Sequence, residues 1–224
     1  MKSQHPSRKV NDLPTRTAPE IPADIQQLTP TAEVLADAEI SFQECVIENF
    51  SFKDHSYKSA VFEGCILKHL DFSRSSLRGL RLKDVRLIEC DFANAQAIGL
   101  KAVRAEFINC RLTGLRAIES EWQDLLISEG DASFAQFRLG TFKTTEFNGG
   151  NFAEADFHGC DLRGALLKSC EFKNADMTGA KLEGADFRRS RVEGLIALAA
   201  DLKGAIVDPT QAMVFAELLG LKIR

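Results

Sequence analysis

The run Ala155-Asp156-Phe157-His158-Gly159-Cys160-Asp161-Leu162-Arg163-Gly164 sets a large apolar side chain at Phe157 and again five residues on, at Leu162. A small residue, Ala155 or Cys160, stands two places before each, and glycine two places after. Stepping by five in both directions finds the same class, with no insertion or deletion, from Phe42 to Val207. Of these 34 positions, 29 are large apolar or aromatic and five are Ala; 13 of the 16 Phe fall among them. The class two residues earlier is mostly small and holds all six cysteines, Cys45, Cys65, Cys90, Cys110, Cys160 and Cys170. Neither class contains Asp, Glu, Lys or Arg, whereas composition alone would put about 18 charges among them. Charge has been kept off one side of the backbone, as burial requires.

A helix repeats its apolar face every 3.6 residues and a strand every 2, so a strict period of five fits neither. It fits a chain that turns a corner once per pentapeptide, with one large and one small side chain inward on each side. Glycine occupies the position two after the large residue at eleven sites, where a repeated tight turn would need it. Proline is absent between Pro30 and Pro209, as expected if every rung uses its backbone donors.

The segments Ala155-Asp156-Phe157, Cys160-Asp161-Leu162, Ala175-Asp176-Met177 and Ala185-Asp186-Phe187 resemble the signature of the pentapeptide-repeat family, Ala-(Asp/Asn)-Leu/Phe-x-x. That resemblance implies an all-β fold: a right-handed, quadrilateral parallel β-helix with twenty residues per coil, followed here by a short C-terminal α-helix. Positions twenty apart would then stack, with Phe52, Phe72 and Phe92 in one ladder. The expected organisation is a flexible tail over 1–30, an N-terminal cap over 31–39, the β-helix over 40–208 and a capping or dimerisation helix over 209–224.

Asp208-Pro209-Thr210-Gln211 predicts the start of that helix, with Asp208 as N-cap, proline at the first helical position and Gln three residues after the cap. Its apolar residues Met213, Val214, Phe215, Leu218 and Leu219 exceed one stripe. One stripe is expected to seal the last coil and the other to meet a second copy, since helix-mediated dimers occur in the family.

The middle of the repeat carries Ala97, Ala102, Ala117 and Ala132 at large inward positions, while Ile88, Ile98, Val103, Ile108 and Ile118 fall one residue later. Two readings follow: a local register shift that tucks the isoleucines inside, or an exposed apolar patch for a partner. In the second, Ile98 and Ile118 share one face, with Leu139 and Leu198 further along it.

Little catalytic chemistry is legible. The cysteines form no Cys-x-x-Cys pair and have no histidine at ligand spacing, so no metal or cofactor is expected. The carboxylates Asp71, Asp91, Asp156, Asp161, Asp176 and Asp186 precede inward residues and are expected to bond nearby turn backbone. No nucleophile motif or phosphate loop appears. An apolar span near 20 residues is missing, as is a hydrophobic leader core in the first 30, so a cytoplasmic protein with no membrane partner is expected.

Two functions remain: a non-enzymatic interaction or scaffold module for a protein partner, and an alternative that the family resemblance suggests. That alternative is a DNA-mimicking inhibitor or protector of DNA gyrase or topoisomerase IV, of the quinolone-resistance type. Mimicry needs a sustained acidic surface. Sorted by face between Ser41 and Pro209, the outward positive and negative charges number 8 and 8, 5 and 7, 5 and 7, and 4 and 3. No face is a polyanion, which favours the interaction module. Inward aromatics and the absence of a basic face also argue against direct nucleic-acid binding.

Overall fold

The computed structural model describes residues 15–218 and 220–222. Its strands pair in parallel at a constant offset of twenty, from Glu39 opposite Ser59 to Asp186 opposite Ile206. Four pentapeptides therefore close each coil, and the molecule is a four-sided parallel β-helix. Three long strands, Leu80–Ile88, Lys101–Ile108 and Glu121–Ser128, lie side by side and bend around one corner from the first side to the second.

Side chains of both inward classes fill the axis. Phe52 stacks on Phe72 at 4.8 Å and 4° between ring planes, and Phe72 on Phe92 at 4.7 Å and 18°. All six cysteines are buried as free thiols. Burial pushes the thiols of Cys160 and Cys170 up to about 12, so they behave as small apolar fillers.

The corners carry a regular backbone device. Every residue with positive φ between Glu44 and Gly204 lies two places after a position of the first inward class; 20 are not glycine and 11 are. Left-handed backbone is unfavourable for a residue with a Cβ. Here the next coil enforces it, because most corner N–H groups donate to a carbonyl one coil on, as Asn94 N to Thr113 O at 2.9 Å, while those of Gly179 and Arg189 donate to the Asp201 and Asp208 carboxylates. Second turns are braced by the outward aspartates. Asp71, Asp91, Asp156, Asp161, Asp176 and Asp186 each accept the N–H two residues ahead, at 2.7–3.3 Å.

No register shift occurs in the middle. Lys101, Ala102 and Val103 pair with Glu121, Trp122 and Gln123 at the same offset of twenty. Ala97, Ala102, Ala117 and Ala132 stay inward and buried, and the large rings of Phe107 and Trp122 lie buried in the same stretch of the axis. The Trp122 indole packs against Phe107 at 6.0 Å and lies parallel to Phe142 at 5.8 Å. Substituting volume between neighbouring layers keeps density without bending the backbone.

The N-terminal segment departs from the expected tail over 1–30. Residues 15–30 are laid along the corner between the first and second sides; residues 1–14 lie outside the described residues. Gln26–Gln27 pairs with Cys45–Val46 as an added strand. The Glu20 N–H donates to Asp84 at 2.8 Å, the Thr17 N–H to Asp124 at 3.1 Å, and Arg16 reaches Glu106 at 2.9 Å. These bonds hold the segment as a strap over buried carboxylates and add donors to those the rod already supplies, Arg104 to Asp84 and Arg86 to Glu106. Ala32–Leu35 then forms one 3-10 turn, with Val34 and Leu35 packed on the core.

At the other end the helix runs Pro209–Leu218. Phe215 is buried against the rod and Val214 is half-buried. Phe215 is thus committed to closing the last coil rather than to a second copy. Met213 is exposed and Leu218 half-buried, while Leu219 lies outside the described residues.

Candidate partner-binding face

The fourth side of each coil holds residues such as 95–99, 115–119 and 135–139, with the second and fourth of each five pointing out. Ile98 is 45% exposed, and Ile118, half-buried, sits one coil above it in the same column. Leu139, at the following corner one coil further, is 55% exposed. These three are brought together. Leu198 is also exposed, at 60%, but Arg138, His158 and Thr178 separate it from Ile118 in the column, so it belongs to a second apolar spot with Ile196. Ile88, Val103 and Ile108 are half-buried on other sides.

Sequence reasoning missed Phe134, which is 53% exposed at the corner leading into the same side. Its signal was available: position 134 is a corner position, where φ is +60° and the side chain has no route inward. Phe134 and Leu139 (φ +59°) are bulky residues held in left-handed backbone on either edge of one side. Leu139 leans over the corner glycine of the next coil, where a Cβ on Gly159 would come within 2.8 Å of its Cδ2.

Electrostatics set this side apart. Elsewhere, charges one coil apart neutralise each other across the rungs: Arg74 with Asp54, Arg104 with Asp84, Arg86 with Glu106, Lys101 with Glu121 and Arg191 with Glu171 are all twenty residues apart. The Arg104 guanidinium holds the Asp84 carboxyl below the usual carboxylate range. On the fourth side, Arg78 and Arg116 have no carboxylate partner among the described residues; Arg116 contacts only the Gln136 amide oxygen, at 3.3 Å. Among the described residues, no cluster of three or more His, Cys, Asp or Glu is arranged to hold a metal ion, and no helix is long and apolar enough to cross a membrane.

Residues 58–94 and 146–192 match the family model for pentapeptide repeats, in eight copies. No curated protein matches the chain. A trypsin-treated form of QnrB1, a plasmid-mediated fluoroquinolone resistance protein, is similar in structure at 18% identity, with a TM-score of 0.41, over 89% of this chain and 99% of that one. HetL, a pentapeptide-repeat protein involved in heterocyst differentiation regulation in the cyanobacterium Nostoc sp. strain PCC 7120, is similar at 19% identity and a TM-score of 0.28, over 76% and 93%. Rfr23 from the cyanobacterium Cyanothece 51142 is similar at 16% identity and a TM-score of 0.33, over 65% and 90%. Because the twenty-residue register runs unbroken through the stretch between the two matched segments, the repeat is continuous, and the chain belongs to the pentapeptide-repeat family.

Proposed function

We propose that this protein is a non-enzymatic, cytoplasmic interaction module: a stiff rod that presents its fourth side to another protein. The observation that carries this reading is the group Ile98, Ile118, Phe134 and Leu139, gathered on the side with the fewest charges. Exposed apolar clusters of this kind mark interaction surfaces. Two of the four, Phe134 and Leu139, stand at corner positions, which place their side chains outside the rod. Six buried free thiols fit a reducing compartment. Gyrase mimicry is disfavoured because cross-rung ion pairing leaves no uninterrupted acidic track.

An affinity capture comparing the full chain with the Ile98→Asp/Ile118→Asp variant tests the reading. Loss of specific partners with an unchanged melting temperature is the expected result. Identical capture by both proteins removes the fourth side from consideration.

A further inference from the structure

On the reading of the fourth side as the binding face, its chemistry narrows the partner. Lys58, Arg78, Ile98, Ile118 and Arg138 occupy one outward column at intervals of twenty, and Arg116 lies beside Ile118. The column runs from basic to apolar and ends at Arg138, whose guanidinium already meets Asp156 at 3.5 Å, with Phe134 and Leu139 bracketing its upper end. Nine of the thirteen described arginines have a carboxylate partner. Of the four that do not, Arg78 and Arg116 flank the isoleucine pair.

We infer that the occupant is an acidic amphipathic helix of another protein, laid along the rod axis. The spacing supports a helix. Successive coils rise about 4.8 Å, and residues three or four apart on a helix advance about 4.5–6 Å. One apolar stripe can therefore place consecutive side chains over Ile98, Ile118 and Leu139. Four rises from Lys58 to Arg138 come to about 19 Å, the length of about 13 helical residues. Carboxylates beside that stripe meet Arg78 and Arg116, whose charges are not already neutralised, and a basic helix would be repelled by them. A nucleic acid supplies negative charge but no apolar stripe for the isoleucines.

The test is a displayed library of helical peptides about 16 residues long. It is depleted on the Ile98→Asp/Ile118→Asp protein and then selected on the unmodified chain. Retained peptides should be net acidic, with apolar residues three or four apart. A synthetic consensus should bind at least about tenfold more weakly to the Arg78→Glu/Arg116→Glu variant, with a clear salt dependence. Retained peptides that are basic or extended, an empty selection, or binding indifferent to Arg78→Glu/Arg116→Glu would overturn the proposal. If protein capture depends on Ile98 and Ile118 while the library yields no acidic helix, the face stands and this partner class falls. Should neither experiment depend on the fourth side, the interaction face itself falls.

Discussion

Asp208 and Gln211 bond each other's backbone: the Gln211 N–H donates to Asp208 Oδ1 at 3.0 Å, and the Asp208 N–H to Gln211 Oε1 at 2.9 Å. This reciprocal pair starts the helix, and the Gln211 amide goes further. Its Nε2 donates to the carbonyls of Phe187 and Ser190, both at 2.6 Å, so one buried side chain caps the helix and the open end of the rod. Replacing Asp208 with Ala should cost about 1 kcal/mol. Gln211→Ala should cost more, about 1–3 kcal/mol, because two rod carbonyls lose their donor. Denaturant unfolding of the two variants checks the order.

Corner strain and axial packing should separate cleanly. Phe134→Gly relieves left-handed backbone but gains unfolded-state freedom, so the net change should be near zero and at most about 1 kcal/mol stabilising. Phe137→Ala, three residues away and fully buried, should cost about 3–5 kcal/mol. Comparable losses from both, measured by chemical denaturation, would contradict the inward and outward assignment.

Acid should weaken the strap. Asp84 is held below the usual carboxylate range chiefly by the Arg104 side chain, with help from the Glu20 N–H. A depressed folded value means that the stabilisation is complete above the unfolded value, about 3.9. It is lost as pH falls through the folded value. Thermal unfolding followed from neutral pH down to about pH 2 should show this loss. Asp84→Asn should lower stability at neutral pH and flatten the acid limb.

Topoisomerases offer a direct check of the disfavoured alternative. In a gyrase supercoiling assay, with and without a quinolone, stoichiometric protein should leave the enzyme neither inhibited nor protected. No side carries the sustained acidic surface needed to occupy a basic DNA groove. Protection at that ratio would reverse the ranking.

Much of this molecule is legible residue by residue. Phe157 and Leu162 announce the coil because their period excludes helix and strand, and Asp208 with Gln211 announces the cap through local spacing. The strap was not legible. Glu20 bonds Asp84 and Thr17 bonds Asp124, 64 and 107 residues away, and no periodicity links such partners. The fate of Ala102 was equally hidden, since it depends on the layer one coil above, where Trp122 is buried. Ile98 could be placed outward once the frame was known to hold, yet the frame's persistence through four alanines needed the neighbouring layers. Phe134 was legible in principle, as a bulky residue at a corner.

The twenty-residue offset also governs how such a rod can change in length. Duplicating a whole coil lengthens it and leaves every column aligned. Adding a single pentapeptide turns everything beyond the insertion by a quarter, so Arg78 would no longer underlie Ile98, and Asp84 would face away from Arg104. Growth by complete coils preserves a recognition surface, whereas growth by single repeats relocates it.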